Sequence, residues 1–288
     1  MPSGPLWLNR TMVSIQVPPE WKQLEVDRLA GTIVVIGQTD SGKSTFVHWL
    51  VRQLCRRHER VGWLDADVGQ STLGVPTTMN LAVVSEPPTG LPSPDATFFV
   101  GATSPRRHML PTMVGAHKLQ ERAQQMGAGA IVVDTTGLVT QEAGGGALKH
   151  WKIELLEPTT VIAIQRHGEL VHILTPLVRN PGLAVHILRV ANAVNRKSVE
   201  ERVQRRRRQF RQHFAGAAPL TLDYARLPVY DLEQAGPHRL LALHDREGFT
   251  VALGVILQMG TREMTILTPA RTASQVAGLR IGSLGLDP

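Results

Sequence analysis

The chain has 288 residues and a single cysteine, Cys55, in a stretch expected to be mid-helix. One cysteine excludes an internal disulfide and fits a reducing setting, the cytoplasm. No apolar run approaches the roughly 18 residues that a membrane-spanning helix needs, so no membrane partner is expected. Met1 to Val17 lacks a charged start followed by a long apolar block, and no signal peptide is read there. The eleven histidines are scattered, and no Cys/His cluster has metal-ligand spacing. Internal repeats are absent, and the one low-complexity tract is a run of arginines. The guanine-reading pattern Asn-Lys-x-Asp is missing too, which weakens a GTPase reading. Acidic charge is the scarcer sign: 24 Asp and Glu stand against 31 Lys and Arg, for a net +7. Arginine supplies most of that excess. It favours a polyanionic partner and suits bidentate phosphate contacts.

What the chain does have centres on Gly37-Gln38-Thr39-Asp40-Ser41-Gly42-Lys43-Ser44-Thr45, which fits Gly, four residues, Gly-Lys-Ser/Thr. The β-branched run Thr32 to Ile36 before it reads as a buried strand, and Lys43 to about His58 reads as a helix. Strand, glycine loop and helix together are the context of a phosphate-binding loop. Its glycines let backbone N–H groups converge on phosphate oxygens at a helix N-terminus. Lys43 can reach the terminal phosphates of ATP, and the Ser44 hydroxyl can hold Mg²⁺.

Residues 1–30 form a Pro-containing arm that Trp7 and Trp21 could pin to the body. Val61 to Leu64 reads as a second strand ending in Asp65-Ala66-Asp67-Val68-Gly69-Gln70. Taken alone, two aspartates at i and i+2 are either a solvated turn or a pair on one strand face. Their place some twenty residues after a phosphate loop favours the ligand-binding edge of an open α/β sheet. A strand over Ala96–Val100 opens into Gly101 to His108, followed by a helix from about Thr112 to Met126. Ala130 to Asp134 is a strand closing on Asp134-Thr135-Thr136-Gly137, and such an aspartate commonly faces Mg²⁺ through water. A triple-glycine loop (144–146), a helix over 147–156 and strands over 160–164 and 184–190 continue the alternation. The expected fold is α/β: a P-loop NTPase-type, mostly parallel sheet with helices on both faces over residues 31–216.

Ser198 to Phe214 reads as a basic helix opened by a Ser198/Glu201 capping box, with Val199, Val203, Phe210 and Phe214 on one face. It is either a solvated basic surface or a mobile lid carrying arginines to phosphates. From about 217 to 288 the pattern turns to hairpin-like strands, a small mostly-β C-terminal domain.

Together these pieces resemble the polynucleotide 5′-hydroxyl kinases: the RNA kinases of tRNA splicing and pre-mRNA cleavage, those of pre-rRNA processing, and their stand-alone prokaryotic relatives. The matching residues are the phosphate loop with Thr39-Asp40, Asp65-x-Asp67-x-Gly69-Gln70, Thr103-Ser104-Pro105, Asp134-Thr135-Thr136-Gly137 and Arg207-x-x-x-Arg211, over about residues 31–216. The short C-terminal appendix looks like that of the prokaryotic members; the N-terminal β-domain of the eukaryotic ones is not expected. The resemblance implies ATP and Mg²⁺ as cofactors and RNA or DNA 5′-hydroxyl ends as partners. It implies that Asp67 activates the hydroxyl, that Asp65 lies near the metal, and that Arg207 and Arg211 are lid arginines. Gln70, Thr103, Ser104, Pro105, Arg106 and His108 would contact the substrate end. Leu138 stands where the eukaryotic relatives carry a base-stacking Trp, and His108 where they carry Asn. Two other readings compete: a nucleotide-hydrolysing switch with Gln70 orienting water, and a non-catalytic nucleic-acid binder with an ATP site.

Overall fold

A computed structural model describes residues 17–287. Trp7, expected to pin the N-terminal arm, lies outside them. Trp21, at the end of the one-turn helix α1 (Pro19–Lys22), does pin it. Its ring meets Phe46 edge-on at 5.0 Å and Trp49 at 5.4 Å.

Seven strands form the first sheet: β1 (Gly31–Gly37), β2 (Val61–Ala66), β3 (Thr78–Val84), β4 (Ala96–Phe99), β5 (Ala130–Thr135), β6 (Thr160–Gln165) and β7 (Ala184–Arg189). Their order is β4-β3-β2-β5-β1-β6-β7. β2, β5, β1, β6 and β7 run parallel, and β3 pairs antiparallel with both β2 and β4. β3 has no counterpart among the strands expected from sequence, although none of its seven residues is charged and five are buried. The helices are α2 (Lys43–Leu54), α3 (Met109–Gln125), α4 (Gly145–Leu156), α5 (Val171–Leu177) and α6 (Val199–His213).

Strand alternation sorts the core into two layers. Ile33, Val35, Trp63, Val132 and Ile162 face α2 and Trp21. Val34, Ile36, Leu64, Ile131 and Val133 face the other way, with Ala116 and Leu119 of α3 and Ile153 and Leu156 of α4. The expected triple-glycine loop is partly helical. Gly144 caps α4 at φ 73°, and Gly145 and Gly146 form its first turn.

The second sheet has the order β8-β12-β11-β10-β13-β9, from β8 (Ala218–Asp223), β9 (Val229–Tyr230), β10 (Arg239–His244), β11 (Thr250–Met259), β12 (Glu263–Thr268) and β13 (Gly278–Gly285). All its pairs are antiparallel except β13 with β9. One face holds its own apolar core. The other packs Leu240, Leu253 and Val255 against Phe210 of α6, Phe99 of β4 and Val75 of the loop before β3. Phe210 is thus the inward residue of α6. Val199, expected on the same face, is 72 % exposed.

Candidate active site

The phosphate loop leaves β1 at Gly37 and enters α2 at Lys43. A β-carbon on Gly37 would lie 2.6 Å from both the Ile164 carbonyl and the Ser41 hydroxyl, so only glycine fits. Gly42 adopts φ 84°, and Asp40 takes the left-handed value of 56°. Lys43 Nζ donates to the Gln38 carbonyl at 2.8 Å. Burial pulls the pKa of this ammonium below the ordinary lysine value, against the attraction of Asp134, Asp67 and Asp40. The Ser41 hydroxyl is buried without a partner.

Asp65 and Asp134 are register partners on neighbouring parallel strands, β2 and β5. Their surroundings differ. Asp65 Oδ2 accepts from the Ser71 hydroxyl (2.8 Å) and from the N–H groups of Thr72 (2.6 Å) and Leu73 (2.9 Å). Its Oδ1 accepts from Asp67 N at 3.2 Å. A carboxylate so occupied folds its own turn. Neither oxygen of the buried Asp134 makes a well-formed hydrogen bond, although Ser44 stands close enough to lower its pKa. Burial first, and the Asp65 carboxylate second, push the Asp134 carboxyl up to about 7. Asp65, expected near a metal, thus has both oxygens occupied, whereas those of Asp134 are open.

Asp67 follows the end of β2. Its Oδ1 accepts from Gly69 N (3.0 Å) and Gln70 N (3.1 Å), which fixes the carboxylate at the lip of a cleft. A β-carbon on Gly69 would sit 2.6 Å from the Thr103 carbonyl, so glycine lets this turn lie against the loop after β4. The Gln70 amide is buried, and neither of its ends is bonded.

The cleft encloses about 460 Å³. It brings together Gln38, Thr39 and Asp40 of the phosphate loop, Asp67, Gln70, and Thr103, Ser104 and Pro105, all expected from sequence. Thr136 to Thr140, Leu138 among them, form another wall. Gly37, Ser41, Gly42, Lys43, Ser44, Thr45, Asp65, Arg106 and His108 do not line it. Lys43 and Ser41 are buried beneath the loop, Thr45 is exposed, and Arg106 points to solvent.

The arginines that line the cleft are not the pair singled out from sequence. Arg207 and Arg211 are exposed and absent from the cleft, whereas Arg202, Arg206 and Arg196 line it. Residues 202, 206 and 210 share a helical face, and Phe210 turns that face inward. Arg202 Nη2 bonds to Asp40 Oδ2 at 2.8 Å, and Arg166 Nη2 bonds to the Asp40 carbonyl at 2.7 Å. The Nε of Arg202 and the Nη1 of Arg166 are buried with no partner. Gln209 and Arg205 tie α6 to the Ser71 carbonyl.

Two buried lysines were not singled out from sequence. Lys149 Nζ donates to Thr135 Oγ1 (2.8 Å) and to the Thr136 carbonyl (2.6 Å). Lys152 Nζ has no partner, and burial lowers its pKa to about 8. The signal was available: both fall on the inward side of a helix whose other inward residues are Leu148, Ile153 and Leu156.

Among the described residues no group of three or more His, Cys, Asp or Glu is placed to hold a metal, and no helix is long and apolar enough to cross a membrane.

A parallel sheet with a glycine loop between β1 and α2, and an aspartate closing the neighbouring strand, defines a P-loop α/β protein. Residues 37–216 match the family described as mRNA cleavage and polyadenylation factor CLP1 P-loop, and the chain belongs to that family. It is 30 % identical over 222 residues to the polyribonucleotide 5′-hydroxyl-kinase of Pyrococcus horikoshii, covering 75 % of this chain and 59 % of that one. The same-named protein of Pyrococcus abyssi is 25 % identical over 340 aligned positions, 95 % of this chain and 94 % of its own. That of Methanocaldococcus jannaschii is 33 % identical over 187, covering 63 % and 50 %. The matched stretch thus spans between half and three-fifths of two of these relatives. A solved Clp1p–Pcf11p complex shares the fold, with TM-score 0.65 at 13 % identity over 88 % of this chain and 74 % of that one.

Proposed function

We propose that the chain is an ATP-dependent polynucleotide 5′-hydroxyl kinase acting on RNA ends. The observation that carries the reading is a single cleft walled by the phosphate loop, the Asp67 carboxylate, the 103–105 loop and three arginines. The names of the archaeal relatives supply the acceptor, a polyribonucleotide.

Phosphoryl transfer is mainly positioning and charge neutralisation. The loop amides and Lys43 hold the β- and γ-phosphates of ATP. Asp67 takes the proton of the RNA 5′-hydroxyl as its oxygen bonds to the γ-phosphorus; the bond from that phosphorus to the β–γ bridging oxygen breaks, and ADP leaves. Arg202, Arg206 and Arg196 face the charge that develops on the transferring group, where such contacts are worth most. The unbonded Asp134 carboxylate and the Ser44 hydroxyl fit Mg²⁺, which would supply charge neutralisation on the phosphates.

Incubating the protein with ATP labelled on the γ-phosphate and 5′-hydroxyl oligonucleotides, then separating products by thin-layer chromatography, tests this. Label on the RNA end is expected. Label on water alone would indicate a hydrolytic switch, with the unbonded Gln70 amide orienting the attack. Label left on ATP would indicate a binding protein. Equal labelling of DNA would widen the acceptor class.

A further inference from the structure

The loop from residue 100 to residue 108 carries Thr103, Ser104 and Pro105 into the cleft. It forms neither helix nor strand and holds two exposed arginines, one of them, Arg107, at φ 62°. Such a segment needs fixing from outside if it is to present side chains in one geometry.

The fixing comes from the second sheet, through strand β13. Gly101 adopts φ 80°, and a β-carbon on it would lie 2.9 Å from Gly282 Cα. The reverse substitution would bring a β-carbon 3.0 Å from Gly101 Cα and 2.8 Å from the Phe99 ring. Two glycines thus let the backbones of the loop and β13 touch. At that contact the Gly101 carbonyl accepts from Ser283 N at 3.0 Å and Leu284 N at 3.3 Å. The Ser283 hydroxyl then reaches the far end of the loop, 3.1 Å from His108 Nε2. His108 Nδ1 lies 3.1 Å from the Arg106 carbonyl, so the ring is held between the loop's own backbone and the serine hydroxyl, which also donates to the Gly101 carbonyl at 3.2 Å. One residue of β13 therefore clamps both ends of the loop, at 101 and at 108. A second contact steadies the helix that follows: Arg122 of α3 pairs with Glu247 at 2.8 Å, and its guanidinium lies over the Phe249 ring.

We infer that the second sheet is the buttress of the acceptor-gripping loop, and that Ser283 is the positioning residue through which it acts. The inference rests on the kinase reading of the cleft, in which residues 103–105 contact the RNA end. Ser283 touches neither substrate. Its effect falls on the acceptor and leaves the nucleotide alone, because the phosphate loop and Lys43 are built on β1 and α2.

The test uses the full chain as wild type, Ser283→Ala and Thr103→Ala. Binding of a 5′-hydroxyl oligoribonucleotide is followed by fluorescence anisotropy, and KM for RNA and for ATP by steady-state transfer. Ser283→Ala keeps the backbone bonds to Gly101 and loses the hydroxyl, with its contacts to the Gly101 carbonyl and to His108 Nε2. It is expected to raise the RNA Kd and KM about fivefold, the scale of one neutral hydrogen bond. The ATP KM, the kcat at saturating RNA and the melting temperature stay at wild-type values. If Thr103→Ala weakens RNA binding and Ser283→Ala does not, the loop grips the acceptor without the buttress, and the inference is overturned while the kinase reading stands. If Ser283→Ala lowers kcat and raises both KM values together, the serine is merely structural and the inference also fails. If Thr103→Ala leaves RNA binding unchanged, the loop is no clasp, and the reading of the cleft falls together with its buttress.

Discussion

Arg202 of α6 and Asp40 of the phosphate loop form an ion pair, with Nη2 to Oδ2 at 2.8 Å. The same carboxylate oxygen accepts from the Lys197 amide at 3.1 Å, just ahead of the helix. The loop that would cradle phosphate is thus tied to the helix that would cover it. Arg202 still has an unbonded Nε to offer. Arg202→Ala should lower phosphoryl transfer by about 10²-fold or more, the usual scale for losing a charge that faces the transition state. Arg207→Ala and Arg211→Ala, on the exposed side of α6, should transfer at close to the wild-type rate. Steady-state kinetics on the three variants checks this. Loss in Arg207→Ala or Arg211→Ala comparable with that in Arg202→Ala would mean that the helix turns a different face to ATP.

Asp134 should trade stability for function. Its folded-state pKa is raised to about 7 from the ordinary 3.8, so the fold favours the protonated acid. That contribution is present at low pH and is lost as the pH rises to about 7. Asp134→Asn should therefore melt higher than wild type at pH 8, with an advantage that grows between about pH 4 and 7 and then levels off. Activity should be nearly abolished. In the wild type, Mg²⁺-dependent nucleotide binding should weaken as the pH falls below about 7, since the protonated carboxyl offers no anion. Calorimetry and nucleotide titrations over pH 5 to 9 would show both trends. An Asn variant less stable than wild type at pH 8 would contradict them.

Lys152 has the opposite sign. Burial depresses its pKa from 10.5 to about 8, so the folded state disfavours the ammonium. The cost is full below about pH 8 and shrinks as the pH rises toward 10.5. Lys152→Met, which fills the same space without an unpartnered charge, should raise the melting temperature at pH 7 and lose that advantage at high pH. Lys149→Met should do worse at every pH, because the Lys149 bonds to Thr135 and Thr136 hold the wall of the cleft.

Asp67 is expected to act on the acceptor proton. Asp67→Asn should cut turnover while leaving ATP affinity near normal, the pattern for an interaction made mainly in the transition state. A collapse of ATP affinity with turnover per bound ATP preserved would make Asp67 part of the nucleotide site instead.

The strand–loop–helix around Lys43 was legible because its signal is local: a β-branched run, two glycines and a helix start. Asp65 and Asp67 were legible as a pair, but the hydrogen bonds that occupy Asp65 were not. Which carboxylate is occupied depends on the turn at Ser71 to Leu73, which no spacing reveals. The basic helix was recognised, with its Ser198/Glu201 capping box formed as expected. Its phase was not, because consecutive arginines populate every helical face. Phe210 was the usable clue, since the residues four and eight before it are Arg206 and Arg202. β3 was missed because it is paired antiparallel on both sides and carries polar Thr78 and Asn80 into a buried network with Ser71 and Thr97. The contact of Ser283 with His108 links positions 175 residues apart, and nothing local announces it.

The central claim is that the terminal phosphate of ATP moves to a 5′-hydroxyl. Its most direct test is mass spectrometry of a short oligoribonucleotide after incubation with the protein, ATP and Mg²⁺, run beside the same oligonucleotide already phosphorylated at its 5′ end. The expected result is a gain of one phosphoryl group by the 5′-hydroxyl RNA, none by the phosphorylated one, and none with Lys43→Ala. Unmodified 5′-hydroxyl RNA beside accumulating ADP and inorganic phosphate would contradict it.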